Sequence, residues 1–257
     1  MLELKQIESF FPENLRHLQR NLLREYLQYK ILNAVFRGRY GQKLVFMGGT
    51  AIHVVHGLPR FSEDLDFDNR GLKRADFSAL VRDVARKLIL EGYAVETDTS
   101  FKKGAFSADI KFTGLLFVLG LSGHKEEIFL IKLDTEPQQF LYEPERVVIS
   151  KFDVVAGIAI APASVLLAQK YHAILMRKRA MGRDFFDAMF LAGKAKPDFG
   201  YLRECAGLAD QQGLRGALLR RCAELDFKLL VRDLEPFLYK PAAARQILLF
   251  EEIVRKW

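Results

Sequence analysis

Cysteine is nearly missing: the 257 residues hold two, Cys205 and Cys222, with no Cys-x-x-Cys or Cys/His spacing around either. A disulfide framework and a zinc centre are therefore excluded as organising principles, and buried thiols in a reducing compartment, the cytoplasm, are expected. No run of about eighteen apolar residues without charge occurs, so no membrane-spanning helix is expected. The opening MLELKQIESFFPENLRHLQR carries early acids and no apolar core, and does not read as a secretory signal or a transit peptide. Internal repeats and low-complexity tracts are absent. His53, His56 and His124 have no metal-ligand spacing with one another, so His53 and His56 are expected to be helix-surface or core residues.

What is present is the composition of a globular protein, 50% apolar and 28% charged, long enough for one large domain or two small ones. The net charge of +7 favours an anionic partner such as a nucleotide or RNA. Basic residues gather at Arg177-Lys178-Arg179, Arg183, Arg215, Arg220 and Arg221, which are candidate RNA contacts.

The most informative stretch is Leu44 to Asp68, LVFMGGTAIHVVHGLPRFSEDLDFD. Leu44 to Met47 is an apolar run of strand length, broken at once by Gly48 and Gly49. Thr50 to His56 is a short helix, ended by Gly57 and Pro59. Backbone N–H groups at the helix start, together with the positive dipole end, favour a phosphate. Phe61 to Asp68 then alternates as a strand, with Ser62, Asp64, Asp66 and Asp68 on one face. Two carboxylates that close repel, and a divalent cation between them relieves the repulsion; oxygen-only ligands suit Mg²⁺ or Mn²⁺. Asp-x-Asp alone also fits a surface turn before an acidic edge strand.

Around this stretch the periodicity predicts a helix from Pro12 to about Phe36 and another from Phe77 to Glu91 capped by Asp76. It predicts strands over Tyr93–Thr99, Phe101–Phe112 (after a Lys102-Lys103-Gly104 turn), Leu115–Leu121 and Glu127–Thr135. The last carries Ile128, Leu130, Lys132 and Asp134 on one face, and Ser122-Gly123-His124-Lys125 reads as the hairpin connection into it. Asp134 is a candidate third metal ligand, with Asp109 on the neighbouring strand as runner-up; it fits equally as an acid ending a strand. One or two strands are expected in Arg146–Ile160. From Pro162 onward only helices are expected: Ser164–Met181, one opened by Arg183-Asp184-Phe185-Phe186-Asp187 after a break at Gly182, Leu202–Ala209, Leu214–Leu230 and Ala242–Val254. Asp184 and Asp187 share one face of a first turn, where the helix dipole stabilises negative charge.

Gly48-Gly49-Thr50, Arg60-Phe61-Ser62 and Asp64-Leu65-Asp66, in that order, resemble the signature of the AbiEii/AbiGii-toxin-like branch of the DNA polymerase β-type nucleotidyltransferases. Lys132-Leu133-Asp134 resembles the family's later acid with a basic residue two before it. Lys170, the tract 177–179 and Arg183-Asp184-x-x-Asp187 resemble its C-terminal segments. The resemblance spans roughly residues 40 to 193; Pro59 and the His-rich helix after Thr50 depart from it as tolerated loop variation. It implies an α+β fold, a mixed sheet flanked by helices with an all-helical C-terminal part, divided as 1–160 and 161–257, the second part completing the active site. It implies NTP-dependent, Mg²⁺- or Mn²⁺-dependent nucleotidyl transfer, with Asp64, Asp66 and Asp134 as metal ligands. Gly48, Gly49 and Thr50 are then phosphate-binding, Lys170 meets the triphosphate, and Asp184 orients Lys170 or the acceptor. Arg60 and Ser62 contact phosphates or brace the loop, and Asp187 belongs to the nucleotide site or holds Arg183 or another nearby basic side chain. Implied partners are an acceptor such as tRNA or protein and a cognate antitoxin. A small-molecule acceptor, or a non-catalytic nucleotide- or RNA-binding module of the same fold, stays open; a phosphohydrolase lacks the His-Asp cluster to support it.

Overall fold

In the computed structural model, residues 2–102 and 104–257 are described; the expected turn at Lys102-Lys103-Gly104 includes Lys103, which lies outside them. The elements in chain order are α1 (Leu4–Ser9), α2 (Gln19–Phe36), β1 (Leu44–Met47), α3 (Gly48–His56), β2 (Leu65–Asn69), α4 (Arg74–Leu90), β3 (Val95–Lys102), β4 (Ala105–Phe112), α5 (Leu115–Val118), β5 (Phe129–Pro137), β6 (Glu145–Lys151) and β7 (Val154–Ile160). Helices follow: α6 (Ala163–Met176), α7 (Gly182–Ala192), α8 (Phe199–Ala206), α9 (Gln211–Ala223), α10 (Phe227–Leu234) and α11 (Phe250–Arg255). The seven strands form one mixed sheet in the order β3-β4-β5-β2-β1-β7-β6, with β2/β5 and β1/β7 parallel and the other pairs antiparallel. The α+β architecture read from the sequence is the one observed.

The chain divides into two compact units, Met1–Val55 with Ser62–Gln138 and Pro144–Ile160, and His56–Phe61 with Gln139–Glu143 and Ala161–Trp257. In the sheet unit, α4 packs on β3 and β4, and α2 packs on α4 and β7. Alternation decides what is buried. On β5, Phe129, Ile131, Leu133 and Thr135 point into the core, while Leu130, Lys132 and Asp134 share the more open face. In the helical unit, Phe185 and Phe250 meet edge to face at 4.9 Å at the centre of the core.

Several expected elements are corrected. The strand expected from Phe61 begins at Leu65, because the backbone before it bonds elsewhere: Arg60 bridges Leu238, Phe61 N donates to Phe237 O at 2.8 Å, and Tyr239 N to Pro59 O at 3.2 Å. Asp64 therefore precedes the strand that carries Asp66. Leu115–Leu121 is no strand: Gly114, at φ 66°, turns the chain into α5, whose Leu115 and Leu116 are buried. The 122–125 segment thus follows a helix rather than joining two strands directly. Residues 12–18 are a 3₁₀ turn and an irregular Leu18, so the first long helix starts at Gln19. The helix expected at Phe77 starts at Arg74, and Asp76 lies inside it, 2.9 Å from Lys43 rather than capping. The helix from Ser164 stops at Met176, where the Arg221 guanidinium donates to the carbonyls of Ile174 and Arg177 at 3.2 and 2.8 Å. Gly182 is the first residue of α7 rather than a break; a Cβ there would overlap the Leu230 carbonyl, so glycine lets α7 approach α10. Leu214–Leu230 is two helices, because the Asp226 side chain caps α10 by accepting from Lys228 N and Leu229 N. Ala242–Val254 is mostly a 3₁₀ run, with α11 beginning at Phe250. No disulfide joins Cys205 and Cys222, and burial pushes the Cys222 thiol up to about 11.

Candidate active site

In the sheet unit, β1 delivers the chain into Gly48 at φ 78°, and α3 starts at that residue. A side chain at Gly48 would overlap the Asp66 carboxylate, so the glycine gives Asp66 its place. Asp66 lies opposite Met47 on β1 and opposite Asp134 on parallel β5, which sets the two carboxylates side by side on adjacent strands. Asp64, Asp66 and Asp134 are each half-buried. Asp134 accepts from the Ser107 hydroxyl and lies 3.0 Å from the Lys132 ammonium. Asp109 is on the neighbouring strand β4, as expected, in register with Lys132. The hydrogen bond to Asp134 holds Lys132 above the ordinary lysine pKa against its partial burial, and the charges of Asp134, Asp64 and Asp109 add to that hold. Among the described residues no three His, Cys, Asp or Glu side chains stand as a ready-made metal cage. The donor set is all oxygen and half-buried, a chemistry that fits Mg²⁺ or Mn²⁺, and the Asp66 carboxylate occupies the space a side chain at Gly48 would take.

The other motif residues are placed with definite partners. Thr50 is fully buried, and its hydroxyl donates to the Asp64 carbonyl. The carbonyl of Ser62 accepts from Gln28 Nε2 at 2.9 Å, and that of Glu63 from the same nitrogen at 3.0 Å. Gly49 is buried in the first turn of α3. One turn on, His53 is a core residue, its Nε2 3.0 Å from Glu25; Lys151 Nζ is 2.7 Å from the same carboxylate. Burial would raise Glu25, but His53 and Lys151 outweigh it and draw its pKa down.

In the helical unit the remaining candidates form one buried network. Arg60, Lys170, Asp184 and Asp187 are only 1%, 8%, 2% and 0% exposed, so each charge depends on a partner. Arg60 donates a two-pronged fork to Asp187, Nε to Oδ1 and Nη2 to Oδ2, both 2.7 Å, and its Nη1 donates to the Phe61 carbonyl at 2.9 Å. Lys170 Nζ lies 2.8 Å from Asp187 and 3.0 Å from Asp184. Arg177, at the end of α6, stands 3.4 Å from Asp184. Burial pulls Lys170 down, but Asp187 and Asp184 prevail and raise it; burial pushes Asp187 up, but Arg60 and Lys170 prevail and lower it. Both shifts favour the charged forms of Lys170 and Asp187.

A family model described as "Nucleotidyl transferase AbiEii toxin, Type IV TA system" matches residues 30–255. The chain belongs to this AbiEii family. The AbiEii family comprises nucleotidyltransferase toxins of type IV toxin–antitoxin systems, so membership carries nucleotidyltransferase activity and a toxin–antitoxin setting. Two solved structures share the fold. JHP933 from Helicobacter pylori is 18% identical with a TM-score of 0.56, covering 92% of each chain. A putative nucleotidyltransferase from H. pylori is 20% identical with a TM-score of 0.58, covering 91% of this chain and 94% of that one. No match was found among curated proteins. Among the described residues of this AbiEii member, no helix is long and apolar enough to cross a membrane.

Two features of the site were not read from the sequence: Gln28 and the direct Arg60–Asp187 pair. Polar residues among the apolar positions of the long helix (Glu25, Gln28 and Lys30) are the signal that could have found the first.

Proposed function

We propose that this AbiEii protein transfers a nucleoside monophosphate from an NTP to an acceptor hydroxyl on tRNA or protein, in the cytoplasm, as a toxin held in check by a cognate antitoxin. The observation that supports this most is the placement of Asp66 and Asp134 on adjacent strands beside an elbow whose positive φ and closeness to the Asp66 carboxylate favour glycine. Asp64, Asp66 and Asp134 would hold Mg²⁺ or Mn²⁺. When bound, the divalent ion neutralises phosphate charge and lowers the pKa of the attacking hydroxyl. The N–H groups of Gly48 and Gly49 meet the phosphates at the positive end of α3. The acceptor oxygen bonds to the α-phosphorus, the α–β anhydride bond breaks, pyrophosphate leaves and the hydroxyl proton passes to water. Catalysis is positioning and charge neutralisation rather than covalent chemistry by the protein.

Lys170 is assigned to the triphosphate as a compact positive charge, with Asp184 orienting it; its ammonium rests on Asp187 at 2.8 Å and Asp184 at 3.0 Å, and a phosphate would have to share it with them. Arg60 is assigned to bracing, since its guanidinium is spent on Asp187 and Phe61. Asp187 belongs with it as the counter-charge to both cations. The test is incubation with each α-labelled NTP, Mg²⁺ and total RNA or protein. Label should enter one acceptor class with wild type and not with Asp64→Ala plus Asp66→Ala. Transfer that persists in the double variant overturns the assignment.

A further inference from the structure

We propose that Gln28, on α2, is a positioning residue for nucleotidyl transfer: its amide clamps the loop that presents Asp64. The inference rests on the reading of Asp64 and Asp66 as the metal-binding acids. Gln28 is 1% exposed, and its Nε2 donates to two consecutive carbonyls, Ser62 at 2.9 Å and Glu63 at 3.0 Å. The next carbonyl, that of Asp64, accepts from the Thr50 hydroxyl. Three carbonyls in a row are thus held from outside the sheet, in a segment that has no strand pairing of its own until Leu65. Arg24, one turn before Gln28, anchors to the Leu130 carbonyl at 2.7 Å; burial lowers its pKa, and the charges of Glu63 and Asp64 only partly oppose that. One face of α2 therefore backs the loop. A buried amide that released these carbonyls would leave them unsatisfied and the loop free to move. A carboxylate set that must close on a cation loses affinity when one member wanders.

The probe is Mn²⁺ alone, titrated by electron paramagnetic resonance, with thermal unfolding of the same samples. Gln28→Met keeps the packing and removes the donor. It should weaken Mn²⁺ binding about tenfold or more. Leu23→Ala, a cavity in the same helix at a residue that makes no hydrogen bond to the loop's carbonyls, should lower the unfolding temperature and leave Mn²⁺ affinity within twofold. Asp66→Asn should abolish binding; if it does not, the reading of the acids fails, and this inference with it. If Asp66→Asn abolishes binding while Gln28→Met binds as wild type, the reading stands and the clamp is refuted. Equal loss of affinity in Leu23→Ala and Gln28→Met also refutes it, since a merely structural role would give that result. Should Gln28→Met not fold, Gln28→Asn, whose shorter amide cannot span both carbonyls, takes its place: weakened Mn²⁺ binding supports the clamp, and wild-type binding refutes it.

Discussion

Arg60 and Asp187 meet through two parallel hydrogen bonds of 2.7 Å with almost no solvent on either side. Such a pair is weak evidence of net stabilisation, but breaking it strands a charge. Asp187→Asn leaves Arg60 and Lys170 with too little counter-charge and should cost about 3–5 kcal/mol in urea unfolding. The pH dependence follows from the directions of the shifts. Asp187 is depressed, so its contribution is complete above the ordinary aspartate range and is lost as pH falls through the depressed value. Lys170 is raised, so its contribution is complete below the ordinary lysine range and is lost as pH rises through the raised value. The stability gap between wild type and Asp187→Asn should therefore stay flat through neutrality and narrow only as pH falls below the ordinary aspartate range. Gly48→Ala places a methyl against the Asp66 carboxylate at a positive φ; label transfer should fall about 100-fold, because a misplacement near 1 Å at a reacting centre has that effect. Unchanged transfer would contradict the role given to that elbow. Gly48, Gly49, Asp64 and Asp66 were legible as candidates because they fall within one short stretch, and Asp134 because it ends a strand and resembles the family's later acid. The partners of Arg60 and Thr50 were not, because side chains 127 residues apart in the chain, such as Arg60 and Asp187, meet only through the fold.

At the scale of elements, long amphipathic segments read correctly as helices, but their ends did not. The stop of α6 depends on Arg221 from α9 taking its last carbonyls, and the break between α9 and α10 on the Asp226 cap. Leu115–Leu121 failed for another reason: a short apolar run carries no period that separates strand from helix, and Gly114 decided it. Gly182 and Gly216 offer a paired test. Gly182→Ala drives a Cβ into the Leu230 carbonyl and should cost about 1–3 kcal/mol or more. Gly216, within α9, meets only the Arg220 side chain at 3.5 Å, so Gly216→Ala should stabilise by about 0.4–1 kcal/mol. Urea midpoints that move in the same direction would contradict the packing described for α7 and α10.

Over the whole molecule, positive charge is unevenly shared. The helical unit carries eighteen Lys and Arg against twelve Asp and Glu, while the sheet unit carries twenty-one against twenty. The excess that the sequence offered as a hint of an anionic partner thus belongs to the helices, not to the unit with the acids. If the acceptor is RNA, its affinity should fall steeply with salt, with a log–log slope of about −0.7 per phosphate neutralised for single strands. Charge reversal at Arg220 should flatten that slope, and a salt-independent affinity would argue for a protein acceptor instead. The central claim remains the pairing of Asp66 with Asp134. Anomalous diffraction from crystals soaked in Mn²⁺ tests it most directly. The account predicts a peak within reach of those two carboxylates next to Gly48, with Lys132 released from Asp134. Crystals of a transfer-active sample with Mn²⁺ bound elsewhere, and no density between the two acids, would contradict it.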